Sequence, residues 1–252
     1  MMPLASWLMC PWRHTKSEGY ASVIEAAQKL DAQVWATHKI KLLYCDDADR
    51  FRDISTAEVQ RVTRGASPEC DPDYPQLGMH ADPTCRALDK DNFFALIGTK
   101  TDRPLPLYTM NTAAKYEARP DCPTIAELFT GRELWSDHPD RDCAGLEIEC
   151  GTEVYDLPAV FLGTAWTRQD YRGRGIMREV SRLHRMVAYL RYGHLPQFAT
   201  VKPDSGHEKV FGGRQIGSVT ETWPTHTTTS TVLFYEPADI LAAAERVKRT
   251  AD

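Results

Sequence analysis

The run from Ala159 to Gly193 constrains the fold more than any other part of the chain. AVFLGTAWT (Ala159–Thr167) has the β-branched and aromatic content of a strand, and Arg172-Gly173-Arg174-Gly175 follows as a loop. Ile176, Val180, Leu183, Val187 and Leu190 then recur at steps of three and four, which predicts an amphipathic helix with one buried stripe. Gly193 is placed to stop that helix, since glycine reaches positive φ at little cost. A strand that feeds a glycine loop opening a helix forms a receptor for anionic phosphate. The amides of the helix's first turn have no partner within it, and the helix dipole adds partial positive charge at the same place.

The segment DYRGRGIM (Asp170–Met177) closely resembles motif A of the GNAT superfamily, the N-acyltransferases that use acetyl-CoA or another acyl-CoA. The usual form of the motif is Q/R-x-x-G-x-G/A. Asp170 stands where the family has Gln or Arg, while Gly173 and Gly175 keep the family spacing. Downstream, ATVKPDSGHEKVFGGRQIGSV (Ala199–Val219) resembles motif B more loosely, with Phe211 where the family commonly has a tyrosine. The resemblance implies an α/β domain with a central mixed, mostly antiparallel sheet flanked by helices. It covers Ala159–Ser218 closely and Ile40–Tyr235 loosely.

Length and composition agree with a single soluble domain spanning 1–252, with a core at about 40–235 and an inserted segment at 111–145. The chain is long enough to bury a sizeable core, and 42% hydrophobic with 26% charged residues is ordinary for a globular protein. A formal net charge of −5 gives no electrostatic case for nucleic acid. The loop and helix depart from that average. Six arginines (172, 174, 178, 182, 185 and 191) against the single Glu179 give a local +5, which reads either as a solvated face or as an attractor of CoA phosphates or an acidic acyl carrier protein. Seven cysteines without a C-x-x-C pair suit reduced thiols, and with no apolar run near about 20 residues the expected place is the cytoplasm. His138, with Asp137 and Asp140, lies in a polar loop that reads as solvated, so no metal is expected.

Elsewhere the sequence predicts a helix within Ala21–Leu30, a strand at Ile40–Tyr44, and a helix opened by the capping box Ser55-Thr56-Ala57-Glu58. Residues 65–92 read as a long loop, followed by a hairpin of Phe93–Ile97 and Leu105–Met110. A second capping box, Thr124-Ile125-Ala126-Glu127, opens a short helix. Gly145–Cys150 alternates as a strand expected beside Ala159–Thr167. A strand at Gln197–Lys202, a short helix at His207–Phe211, a hairpin of Gly217–Trp223 with Thr227–Tyr235, and a helix at Pro237–Lys248 complete the chain.

Acyl transfer from a thioester to an amine needs a held acyl carrier, a polarised carbonyl and a proton acceptor. The expected phosphate donors are the amides of Gly173, Arg174, Gly175, Ile176 and Met177, with Arg172 and Arg174 adding charge-assisted bonds. The resemblance implies pantetheine running along the motif strand between two splayed strands. Trp166 and Thr167 would then offer backbone contacts, and a strand amide near Ala165 would polarise the carbonyl. For the proton acceptor, Glu147 and Glu149 share a strand face and His207 titrates near neutrality. No G-x-S-x-G, H-E-x-x-H, P-loop or dinucleotide fingerprint is present.

Overall fold

In the computed structural model, the described residues are 1–10, 19–63, 81, 83, 87–130, 145–150, 155–203, 206–222 and 227–250. The expected loop at 65–92 lies mostly outside them, as do His138 and its neighbours.

Among the described residues nine strands form one sheet: β1 (Met2–Pro3), β2 (Lys41–Cys45), β3 (Phe93–Thr99), β4 (Thr109–Tyr116), β5 (Gly145–Cys150), β6 (Ala159–Thr167), β7 (Gln197–Val201), β8 (Arg214–Thr222) and β9 (Thr227–Tyr235). Their order across the sheet is β1-β2-β3-β4-β6-β7-β9-β8-β5. Every neighbouring pair is antiparallel except β6 and β7. This is the mixed, mostly antiparallel sheet flanked by helices that the sequence implied.

The alternation of side chains along the strands separates two cores. Phe94 and Leu96 of β3, with Val160 and Leu162 of β6, face a helical layer of α1 (Leu4–Leu8), α2 (Tyr20–His38), α5 (Ile176–Tyr192) and α7 (Pro237–Arg249). Phe93, Ala95 and Ile97 face the other way, onto Phe51 and Ile54 of α3 (Ala48–Thr63). Ala159 and Phe161 join Leu128 and Phe129 of α4 (Ile125–Thr130) on that same side. All five stripe residues of α5 are buried, as the periodicity predicts. The stripe of α2 runs on through Val34, so the helix extends to His38, well past Leu30.

Two capping boxes with the same signature have different fates. Thr124 and Glu127 exchange bonds, the Glu127 amide donating to Thr124 Oγ1 at 3.3 Å and the Thr124 amide to Glu127 Oε2 at 3.0 Å. Ser55 and Glu58 instead lie inside α3, which begins seven residues earlier; Asp47 Oδ1 accepts the Arg50 amide at 2.9 Å at its start. Glu58 is fully buried and accepts the Leu107 amide at 3.2 Å. The β3–β4 hairpin is present, and β4 continues to Tyr116, so the chain leaves the sheet after that residue and not at 111.

One placement differs from expectation with consequences for the site. β5 does not lie beside β6. It pairs with β8 at the far edge, Glu147 opposite Thr220 and Glu149 opposite Ser218. Four strand spacings separate it from β6, about 19 Å of sheet.

Candidate active site at the mouth of α5

β6 and β7 are paired only over Val160–Leu162 and Gln197–Ala199. Beyond Leu162 and Ala199 both strands continue, β6 to Thr167 and β7 to Val201, without pairing to each other. The sheet therefore opens between them towards its upper end, where the glycine loop begins. This is the splay that the sequence reading required.

The free part of β6 carries a bulge. β4 steps from Thr112 to Met110 while β6 steps from Gly163 to Trp166, leaving one extra residue on β6. Thr164 takes φ +43°, a left-handed conformation costly for a β-branched residue. The bulge reverses which face later residues occupy. Without it Trp166 would share the face of Leu162; instead it packs on the opposite side, against the α3 core. Opposite the bulge sits Asn111, 2% exposed, its Oδ1 without a hydrogen-bond partner among the described residues and its Nδ2 3.8 Å from Met177 Sδ. The sequence offered no signal for Asn111; for the bulge it offered Gly163, a lone glycine inside the strand.

The loop after β6 is anchored from several directions. A 3-10 turn, Gln169–Tyr171, follows the strand. Arg168 grips Asp170 through both carboxylate oxygens, at 2.6 and 2.7 Å. That bond holds the Asp170 carboxyl below its ordinary range and offsets its negative charge at the loop entry. Arg168 also lies 3.9 Å over the Tyr108 ring, and Arg174 lies 4.7 Å over Tyr171. Arg172 donates Nε–H to the Thr167 carbonyl at 2.9 Å. The two arginines expected to bind phosphate are thus also structural, Arg172 to the strand end and Arg174 to an aromatic face.

Gly173 and Gly175 have φ of +73° and +81°, and Gly175 caps α5 without a side-chain bond. Arg178 and Glu179 donate their amides to the Gly175 carbonyl at 3.1 and 3.4 Å. The amides of Gly173, Arg174, Gly175, Ile176 and Met177 have no acceptor among the described residues. A methyl group added to either glycine would meet nothing within 4 Å. Five donors therefore cluster at an open helix N-terminus, next to the parting of two strands. These residues fit a diphosphate.

The only acid of α5 is turned away from this mouth. Glu179 is buried against α2, where Gln33 Nε2 donates to Oε1 at 3.1 Å and His38 Nε2 lies 3.1 Å from Oε2. The arginine row is likewise divided. Arg172, Arg174, Arg178 and Arg182 are exposed, whereas Arg185 is buried against the Tyr235 ring and Arg191 lies over Tyr44 and Tyr192. The charge that faces solvent is thus concentrated on the first two turns of the helix.

The proposed proton acceptors fall in different places. Glu147 is exposed on the edge strand β5, and Glu149 shares that strand; neither is brought to the β6–β7 opening. His207 begins α6 (His207–Phe211), directly after β7, although its side chain lies outside the described residues. Phe211 ends that helix and packs on the core. Among the described residues no His/Cys/Asp/Glu cluster suits a metal, Cys10, Cys45 and Cys122 are free thiols, and no helix is long and apolar enough to cross a membrane.

No family model matches the sequence, and no curated protein matches it. Among solved structures the chain is similar to one described as Mycobacterium smegmatis RimJ in complex with CoA-disulfide, at 12% identity and a TM-score of 0.41, over 82% of this chain and 90% of that chain. A likeness of that size carries no residue-level inference, so the site is read from the chain's own geometry.

Proposed function

We propose that the chain is an N-acyltransferase that moves an acetyl or other acyl group from acyl-CoA to an amine by direct attack in a ternary complex. The observation that carries this reading is the open row of five unpartnered amides, Gly173 to Met177, beside the divergence of β6 and β7. A diphosphate suits the first. An extended chain bearing amides, such as pantetheine, suits the second, because unpaired strand edges accept an added strand.

Acyl-CoA supplies the activated thioester. The chain's own residues bind and orient. The loop amides take the diphosphate, with Arg174 and Arg178 adding positive charge at its rim. The backbone of Ala165, Trp166 and Thr167 flanks the opening, and the bulge at Thr164 turns this backbone out of regular register. An amide of that segment is suited to polarise a carbonyl, help of the oxyanion-hole kind. His207, at the head of α6, the helix that follows β7 in the chain, is the proposed proton acceptor. The charge on the outer turns of α5 also suits an acidic acyl carrier protein as donor, as an alternative to CoA.

The test is release of free thiol from acetyl-CoA across a panel of amines. The reading expects amine-dependent release; a folded protein that binds CoA and releases none in any amine is a binding module instead.

A further inference from the structure

A cavity of about 490 Å³ lies in the groove bounded by α5, α6 and α7. It is lined by five cations, Arg182, Arg185, Lys209, Arg214 and Arg246, against two carboxylates, Glu236 and Asp239. Those carboxylates are already engaged. Glu236 accepts Arg214 at 3.0 Å, and the two acids form the capping box that opens α7. No ion pair engages Arg182, Arg185, Lys209 or Arg246 among the described residues.

Arg185 makes the groove more than a charged surface. It is 7% exposed, its guanidinium lies 4.7 Å over the Tyr235 ring, and no carboxylate reaches it among the described residues. Burial lowers its pKa from the ordinary arginine value; Tyr235 partly offsets this, and Arg182 adds to it. The Tyr235 hydroxyl beside it is buried, and its polar partner is this same guanidinium. A buried cation without a counter-ion is costly, and an anion seated in the groove relieves that cost.

We propose that this groove binds a small organic phosphate at a site separate from the loop that opens α5. Guanidinium forks match phosphate oxygens, and a charge excess of three suits a dianion. The cavity is far larger than an inorganic ion, and Val210, Phe211, Ile240, Ala243 and Val247 give it apolar walls for the group esterified to the phosphate. Arg185 lies nine residues along α5 from Ile176, about 14 Å from the helix mouth. The site stands independently of the acyl-transfer reading.

Phenyl phosphate is the probe, titrated calorimetrically into the full chain at millimolar concentration, alone and in the presence of saturating CoA. Binding is expected in both arms, with benzoate about tenfold weaker and Arg246→Glu costing phenyl phosphate about tenfold in affinity. Arg185→Met is expected to abolish binding. Should that variant not fold, Lys209→Glu, an exposed change, takes its place with the expectation set for Arg246→Glu. No binding to the wild type, binding of benzoate as tight as phenyl phosphate, displacement by CoA, or wild-type affinity in Arg246→Glu each overturns the proposal.

Discussion

Arg172 donates its Nε–H to the Thr167 carbonyl at 2.9 Å, tying the entry of the glycine loop back to the last residue of β6. The strand end and the amide row therefore move as one unit. Arg172→Met removes the donor and a rim charge together. We expect a stability loss of about 1 kcal/mol and CoA affinity lower by about tenfold, checked by thermal melting and calorimetry. Unchanged affinity would show that the tie does not position the loop.

Glu179 accepts from Gln33 and lies within 3.1 Å of His38, joining α2 to the first turn of α5. Glu179→Leu would leave two polar groups of α2 without their partner in a buried interface. The expected cost is about 2 kcal/mol in denaturant unfolding, with an unchanged m-value.

His184 is buried on α5 against Phe94, and burial, with Arg185 nearby, holds its pKa down to about 3. The unfolded chain takes up this proton near pH 6.5 while the folded chain refuses it until about 3. Stability from this group is therefore complete above pH 6.5 and is lost as pH falls towards 3. Asp31 acts in the opposite sense, because burial raises its pKa to about 6, so the folded state gains stability as pH falls from 6 towards 3.8. His184→Phe should flatten the acid limb of the stability profile, and Asp31→Asn should raise stability at pH 7 by about 1–2 kcal/mol. Urea melts across pH 4 to 8 read both.

The candidate proton acceptors separate by topology. Glu147→Gln on the edge strand β5 is expected to leave thiol release within about twofold of wild type, the size of a surface change. His207→Gln is expected to lower it by about 100-fold and to remove the limb near neutrality from the pH–rate profile. The opposite pattern would restore the glutamates.

What could be read beforehand depended on whether the signal was local. β6, the glycine loop and α5 carry their own periodicity, their own positive-φ glycines and their own stop at Gly193, so their placement needs no information from elsewhere. The alternation of Gly145–Cys150 correctly marks a strand but says nothing about its neighbour, which a remote hairpin, β8–β9, decides. Ser55 to Glu58 carries the same local pattern as Thr124 to Glu127. Its glutamate is instead drawn inward by the Leu107 amide, a tertiary contact invisible in the sequence. The bulge at Thr164 is announced only by Gly163, a lone glycine inside the strand run, which does not by itself fix its geometry. Arg185 looks like one more member of a charged row until Tyr235 is seen beneath it.

The most direct measurement of the central claim is calorimetric titration of CoA into the wild type and into Gly173→Val. Gly173 sits at φ +73° in open space, so the valine strains the loop and puts a side chain beside the amide row without striking the core. The account predicts binding by the wild type and none by a variant whose helical signal and melting remain close to wild type. A wild type that does not bind CoA, or a folded variant that binds it equally well, contradicts it.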